Sequence, residues 1–120
     1  ILDHYFQLKS YPKVSLAGQI TGVEGYVESA AIGLLVGRIV GAKILSKEVM
    51  LPPPNTALGA LAHHLITQND DFQPMNINFG LFKSNVNNLK GKKNRRERYS
   101  AYTSIAKSSF KSWLKTVSFI

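Results

Sequence analysis

Cysteine is absent from all 120 residues of the sequence. Its absence excludes a disulfide framework, a thiolate zinc site and a cysteine nucleophile within this chain. Long apolar runs are also missing, since the most apolar stretch, residues 30–40, contains Arg38 and is too short to cross a bilayer. No segment with a charged start and an apolar centre opens the sequence, so no signal peptide is expected. Together these absences favour a reducing, cytoplasmic compartment.

Acidic residues are scarce in the last third of the chain. Residues 83–120 carry ten Lys/Arg and one acid, Glu97, a net charge of +9, whereas residues 1–82 carry five Lys/Arg and six Asp/Glu, a net charge of −1. The sequence therefore predicts a near-neutral body over 1–82 and a basic module over 83–120. A basic module favours nucleic acid or an anionic membrane surface as partner, and a merely solvated basic helix is the equally weighted alternative.

The pattern of residues predicts a few short strands followed by three helices. "HYFQL" and "VSLA" are typical of strands, with a turn at "KSYPK" between them. A long helix is expected from about residues 22–25 to 46. The segment "LPPPN" then breaks the chain, because proline cannot continue a helix. Asn55 or Thr56 can cap a second helix over residues 56–67. Polar segments then lead to a third helix over residues 92–117.

The third predicted helix is amphipathic. Its apolar residues recur every three or four positions and share one face: Tyr99, Tyr102, Ala106, Phe110, Trp113 and Val117. Basic residues lie along another face: Arg96, Lys107, Lys111 and Lys115. The aromatic face is expected to pack into the core rather than to stack on bases, because base-stacking platforms usually lie on sheets or loops.

Residues 17–37, "AGQITGVEGYVESAAIGLLVG", predict a glycine-rich turn that leads into the first helix. The spacing of Gly18, Gly22 and Gly25 matches neither the dinucleotide fingerprint nor a P-loop. Glycines in a turn permit positive φ and close approach, and the helix N-terminus beyond them favours an anionic oxygen. A ligand-binding turn and a tight structural turn both remain open.

Small residues also form a line along the first predicted helix. They are four residues apart and share one face: Gly25, Ser29, Gly33, Gly37 and Gly41. A face without side chains lets another element pack very close, as small-residue stripes do between membrane helices. The charged residues of this segment favour a helix in water instead. Since little else in the chain can supply a whole partner, we expect structure from outside these residues to cover the line.

Other polar candidates give weaker expectations. Adjacent residues on a helix point about 100° apart, so His63 and His64 cannot chelate one metal well, and no metal is expected. One of the two is expected to be a packed or hydrogen-bonded histidine. Glu24 and Glu28, one turn apart at a helix start, favour the helix dipole rather than forming a catalytic pair. No catalytic residue is assigned.

Three long blocks resemble a known family. "LAGQITGVEGYVESAAIGLLVG", "PPPNTALGALAHHLI" and "DFQPMNINFGL" resemble, in order and spacing, the C-terminal part of the FAD- and folate-dependent tRNA (uracil-5-)-methyltransferases. That family is related to the glucose-inhibited division protein A group of flavoproteins. The segment "KKNRRERY" also resembles the basic C-terminal helix of the family. Residues 83–92, in contrast, depart from the family's proline-bearing connection.

The resemblance implies an α/β fold, the C-terminal portion of a Rossmann-like FAD-binding domain, mostly helical within this chain with a few short strands. Residues 1–82 would belong to the FAD-binding domain, and residues 83–120 would form a basic linker and an amphipathic helix. In such flavoproteins the turn and helix start close over the flavin. The matching cofactor-binding residues are Gly18, Gln19, Ile20, Thr21, Gly22, Val23, Glu24, Gly25 and Tyr26.

The resemblance also implies partners and cofactors. The complete enzyme would use FAD, with methylenetetrahydrofolate as one-carbon donor and NAD(P)H as reductant, to methylate uracil in the T-loop of tRNA. By position, Asn76 and Asn78 are candidates for the lining of the flavin or folate pocket. The basic residues expected to face RNA are Lys92, Lys93, Arg95, Arg96, Arg98, Lys107, Lys111 and Lys115.

The chain departs from the complete family pattern in two ways. It has no G-x-G-x-x-G to hold the FAD pyrophosphate, and it has none of the family's cysteines. It is therefore expected to be a fragment, inactive alone, that works with the missing N-terminal FAD-binding portion and with neither membrane nor metal. The alternative is a small basic RNA-binding or interaction module without catalysis. Flavin absorbance in the purified protein would favour the first reading.

Overall fold

The computed structural model describes residues 1–67, 69–82 and 94–117. Two short strands come first, β1 (Gln7–Leu8) and β2 (Tyr11–Ser15). The helices follow in the order α1 (Tyr26–Ile44), α2 (Ala57–Ile66) and α3 (Arg95–Thr116), with 3-10 helices at Gly18–Thr21 and Phe79–Leu81. This part of the chain is thus mostly helical with one two-stranded antiparallel sheet, which confirms the coarse expectation from the sequence.

The N-terminal hairpin is tighter than the sequence predicts. Leu8 pairs with Tyr11, so only two residues connect β1 and β2. The turn expected at residues 9–13 is confirmed for residues 9 and 10 and wrong for Tyr11, Pro12 and Lys13, which lie in β2. Proline is tolerated here because each strand of a two-stranded sheet has an open edge, where a missing N–H costs no ladder bond. The Pro12 carbonyl instead accepts a hydrogen bond from the side chain of Gln7.

Two compact units make up the chain. The first comprises Ile1–Met50 and Ala62–Asn76, and the second comprises Leu51–Leu61 and Ile77–Ile120. The chain therefore crosses between units within α2. The predicted division at residues 82 and 83 rests on charge rather than on contacts, and it stays a prediction.

One face of α1 supplies much of the apolar core of the first unit. Its buried residues recur at helical spacing: Ile32, Leu35, Val36, Ile39 and Ala42. Phe6 from the hairpin and Val23 from the glycine turn are also almost fully buried. The observed helix, Tyr26–Ile44, begins one residue after the expected start at residues 22–25 and ends two residues before the expected end at 46.

In the second unit a proline-rich segment leads into α2. The Thr56 hydroxyl accepts a hydrogen bond from the amide of Gly59 at 3.0 Å, so Thr56 is the N-cap of α2. Asn55, the other cap candidate, instead donates from Nδ2 to Ser109 Oγ on α3 at 2.9 Å. Thr56 also donates to the carbonyl of Pro53 at 2.7 Å.

The aromatic face of α3 is buried at one end only. Trp113 and Val117 are buried, as expected of a core stripe. Towards the start of the helix the residues of the stripe are only half-buried. There Phe79 stacks on Tyr99 with ring centroids 4.1 Å apart and also lies 6.0 Å from Tyr102. The stripe is therefore a core element near the C-terminus and a partly exposed aromatic cluster near the N-terminus.

Candidate functional site: a glycine turn and a basic helix

The glycine turn has the left-handed backbone that the sequence predicts. Gly18, Gly22 and Gly25 have φ of 75°, 94° and 93°, values that non-glycine residues rarely adopt. Between the first two, the residues form a 3-10 helix in which Thr21 Oγ1 donates to the carbonyl of Gly18 at 2.6 Å. The turn ends where the amide of Gly22 donates to the carbonyl of Gln19 at 3.0 Å.

Gly22 lies against an aromatic ring of the same unit. A Cβ at Gly22 would overlap the ring of Phe72. Phe72 in turn stacks on His64 with centroids 5.2 Å apart, and His64 Nε2 lies 3.2 Å from the carbonyl of Gln73. His64 is therefore a packed, hydrogen-bonded histidine, as expected. The close packing also gives Gly22 a structural reason to be glycine.

A distant segment holds the turn in place. Residue Val23 forms a parallel bridge with Met75, in which the amide of Glu24 donates to the carbonyl of Met75 at 3.1 Å. Asn76 Nδ2 donates to the carbonyl of Glu24 at 3.0 Å. Asn78 serves a different purpose, since its Oδ1 accepts from the amide of Gly80 and caps the second 3-10 helix. Both asparagines were candidates from the sequence, but the hydrogen bond from Asn76 to Glu24 was not predicted.

The N-terminus of α1 is not capped by the side chain of its own N-cap residue. Its N-cap is Gly25, whose backbone is extended with positive φ. By contrast, Thr56 caps α2 and Asn94 caps α3 through the amide of Glu97 at 2.9 Å. First-turn amides of an α-helix have no partner within the helix and carry partial positive charge. Glu28 lies in this first turn, where a carboxylate favours the dipole, as expected.

A cavity of about 560 Å³ opens beside the turn within the first unit. Four of the nine predicted cofactor-binding residues line it: Gln19, Ile20, Thr21 and Gly22. Leu65 and Phe72 line the same cavity, and the sequence did not single them out. Phe72 is the second residue of the block "DFQPMNINFGL", and its place in a family block is the signal that could have found it. Val23 is buried and Tyr26 is exposed, so these two predicted residues have different surroundings.

Basic residues of α3 form two groups. Arg95, Arg96 and Arg98 surround the start of the helix and are all exposed. The second group is also exposed and lies further along the helix, on the same face as Arg96: Lys107, Lys111 and Lys115. Lys92 and Lys93, the remaining predicted RNA-facing residues, lie outside the described residues. The guanidinium of Arg95 donates from Nε to the Tyr99 hydroxyl at 3.0 Å and lies 5.2 Å from its ring centroid.

An apolar groove of about 380 Å³ runs beside the basic residues within the second unit. Among the described residues that line the groove, Lys107 is the one with a charged side chain. The aromatic residues of the lining are Phe79, Phe82 and Phe110. Because Phe79 also stacks on Tyr99, the groove is continuous with the aromatic cluster at the start of α3.

Two other classes of site were sought in the described part of the chain. Within residues 1–67, 69–82 and 94–117, no group of three or more His, Asp or Glu side chains could hold a metal ion. No helix of the same ranges is long and apolar enough to cross a membrane.

Comparison with known proteins places these features in a family. The family model described as glucose inhibited division protein A matches residues 1–48. A methylenetetrahydrofolate–tRNA-(uracil-5-)-methyltransferase TrmFO from Ruegeria sp. (strain TM1040) is 52% identical over 117 residues, which cover 95% of this chain and 26% of that protein. The proteins of the same name from Cereibacter sphaeroides (strain ATCC 17029) and Roseobacter denitrificans are each 50% identical, over 95% and 98% of this chain and 26% of their own length.

The matched regions cover 95% to 98% of this chain. The chain spans about a quarter of the length of the curated relatives that it matches. The resemblance inferred from the sequence is thereby confirmed, and the chain is homologous to part of the TrmFO family of tRNA-(uracil-5-)-methyltransferases, which is related to glucose inhibited division protein A.

Proposed function

We propose that this chain forms the flavin-side turn and the tRNA-facing helix of a folate- and FAD-dependent tRNA (uracil-5-)-methyltransferase. In this proposal the chain is the C-terminal portion of a Rossmann-like FAD-binding domain. One observation carries it: α1 starts behind a left-handed glycine turn with a glycine, which has no side chain, at its N-cap, and the turn borders an open cavity. The similarity to methylenetetrahydrofolate–tRNA-(uracil-5-)-methyltransferases supports the choice of reaction in this proposal.

The residues of the turn fit a flavin. A Cβ at Gly18 would meet only Ser29 atoms at 3.9 and 4.0 Å among the described residues, so the backbone there can be approached closely. Residues 18–22 would contact the cofactor through backbone groups and through the exposed side chains of Gln19 and Ile20, since the Thr21 hydroxyl already donates to the carbonyl of Gly18. When bound, FAD supplies the transfer of the one-carbon unit and of electrons from methylenetetrahydrofolate and NAD(P)H to uracil.

The start of α1 would act by electrostatics rather than by proton transfer. Amides of the first helical turn stabilise negative charge that develops on a ligand oxygen nearby. The residues whose backbone presents this charge are Gly25 and Tyr26, both within the predicted cofactor-binding set. Glu24 is held through its amide by Met75, so it contributes to the position of the turn.

The basic start of α3 is not explained by helix stability. Cations near a helix N-terminus oppose the helix dipole, at a cost of about 0.3–1 kcal/mol each at low ionic strength. Arg95, Arg96 and Arg98 occupy this unfavourable position with a single acid, Glu97, among them. A polyanionic partner offsets that cost, because arginine pairs well with phosphate. We therefore assign these residues, with Lys92, Lys93, Lys107, Lys111 and Lys115, to the tRNA backbone.

The test places this chain in a complete enzyme. The matching region of the Ruegeria sp. relative is replaced by these 120 residues, and flavin content and tRNA methylation of the chimera are measured. Ile20→Asp adds a negative charge to an exposed residue of the cavity, so we expect FAD affinity to fall about tenfold, which corresponds to about 1.4 kcal/mol. Val14→Asp on β2 adds the same charge away from the cavity and serves as the control.

The isolated chain provides the complementary measurement. With FAD, NAD(P)H, methylenetetrahydrofolate and unmodified tRNA, it should leave uracil unmethylated, because it has neither the pyrophosphate-binding glycine motif nor a cysteine. Methylation above background would contradict the proposal. A chimera that assembles and binds tRNA but never holds flavin would favour the alternative, a basic RNA-binding module without catalysis.

A further inference from the structure

The face of α1 opposite its buried face is apolar and exposed. Val27, Leu34 and Ile44 are 79%, 69% and 77% exposed, and Ala30 and Gly37 lie between them on the same face. The first four of these residues are three or four positions apart, and Ile44 follows seven positions after Gly37, so all five share one face, which we call the outer stripe of α1. With a rise of about 1.5 Å per residue, the stripe is roughly 25 Å long.

Glycines form a recess in this surface. A Cβ added at Gly33 or Gly37 would meet no atom within 4 Å among the described residues. The open space contrasts with Gly59 of α2, where a Cβ would overlap the carbonyl of Pro53. Gly33 and Gly37 therefore face open space within the described part of the chain, whereas Gly25 and Ser29 of the same line lie near Asn76 and Gly18. Large apolar residues that flank a glycine recess are typical of a surface made for close helix or strand packing.

We infer that the outer stripe of α1 is the docking surface for the portion of a TrmFO-type chain that lies outside this quarter-length region. The inference rests on the proposed function, because it takes its partner from the same family. The element that docks is apolar and crosses α1 near Gly37. There its axis can approach more closely than the usual 8–10 Å between packed helices.

Two observations favour this occupant over others. The members of the outer stripe carry no charge, and neither nearby cation is fully exposed and unengaged. Lys43 is contacted by Gln7 and lies 3.9 Å from the Tyr5 ring centroid. Arg38, four residues after Leu34, is half-buried, so the stripe offers little to a phosphate backbone. The relatives also carry about three quarters of their length beyond the matched region, since that region is 26% of each. A covalently joined segment has a millimolar effective concentration and outcompetes a second copy of the chain.

Cysteine labelling tests the inference directly, because the chain has no cysteine of its own. Leu34→Cys places a thiol in the outer stripe, and Tyr11→Cys places one on β2 at a matched exposure of 68% against 69%. Both should react with a maleimide at similar rates in the isolated chain. In the chimera described above, we expect the thiol at position 34 to react at least about tenfold more slowly. The thiol at position 11 should keep its rate, and labelled peptides identified by mass locate each site.

Other outcomes would overturn the inference. Equal labelling of position 34 in the chimera and the isolated chain would show an uncovered stripe. Equal protection of positions 11 and 34 would show a general rather than a local effect. Protection in the isolated chain that rises with protein concentration would assign the stripe to a second copy. Flavin content separates the two proposals, because a flavin-free chimera that still protects position 34 contradicts only the proposed function.

Gly37→Leu gives a second measurement on the same surface. Leucine is the better helix former, so the isolated chain should unfold at the same or a higher temperature. In the chimera the larger side chain should hold the partner away and lower the unfolding temperature. An unchanged or raised unfolding temperature of the chimera would contradict close packing at Gly37.

Discussion

Gly37 and Gly59 both lie inside α-helices, yet a side chain at each would meet different surroundings. At Gly37 of α1 a Cβ would enter open space within the described residues, whereas at Gly59 of α2 it would overlap backbone atoms of Pro53. The Pro53 carbonyl cannot easily retreat, because it accepts hydrogen bonds from the amide and the hydroxyl of Thr56. Gly59 is therefore required by the fold of this chain, and Gly37 is not.

Alanine at these two positions should shift the stability of the isolated chain in opposite directions. Gly37→Ala should raise the free energy of unfolding by about 0.5–1 kcal/mol, the difference between glycine and alanine inside a helix. Gly59→Ala should lower it by about 1–3 kcal/mol, because the backbone must shift to relieve the overlap. Urea denaturation followed by circular dichroism measures both values. Shifts of the same sign would mean that packing at Pro53 does not decide the outcome.

At the scale of elements, the sequence predicts helix limits, which depend on nearby residues, better than it predicts strand pairing, which depends on residues far apart in the chain. The proline segment and the capping threonine predicted the limits of α1 and α2 well, because caps and prolines act within one turn of the chain. The predicted hairpin turn extends too far, to residue 13, because proline is typical of turns. Pro12 instead lies in β2, and the sequence alone does not show that this strand has an open edge that tolerates proline. The bridge between Val23 and Met75 joins residues far apart in sequence, and no periodicity reports such a contact.

The candidate site shows the same limit. The turn glycines were predictable because a left-handed backbone selects glycine. The cavity beside them was not, because Leu65 and Phe72 reach it from a distant segment. The partial burial of the aromatic stripe on α3 also depends on tertiary contacts, since helical spacing marks a face but not how much of it is covered.

The start of α2 offers a test at this scale. Thr56→Ala removes the hydroxyl that accepts from the amide of Gly59 at 3.0 Å and donates to Pro53 at 2.7 Å. We expect a loss of about 1–2 kcal/mol in the free energy of unfolding, as for other threonine caps. Thr56→Ser keeps the hydroxyl and should lose less than half as much. If serine and alanine cost the same, the buried methyl group rather than the cap would carry the stability.

At the scale of the whole molecule, the uneven charge predicts a specific response to salt. Arg95, Arg96 and Arg98 contact phosphates in the proposed function, and phosphate contacts release counterions without reading bases. Reversing all three to Glu removes two charges at each site, so the formal net charge falls from +8 to +2. We expect this variant to lose affinity for different tRNAs by similar factors. Its plot of log affinity against log salt should be flatter by about 2.

A matched control separates local contacts from net charge. Lys9, Lys13 and Lys47 are exposed residues of the first unit, and reversing them to Glu gives the same formal net charge of +2. Fluorescence anisotropy with labelled tRNA at several salt concentrations compares the two variants and the unmodified chain. If phosphates bind at the start of α3, the arginine variant should lose both affinity and salt slope, and the lysine variant should stay close to the unmodified chain. Equal losses in the two variants would mean that the tRNA responds to total charge, and the basic start of α3 would then be a solvated surface with no defined RNA contact.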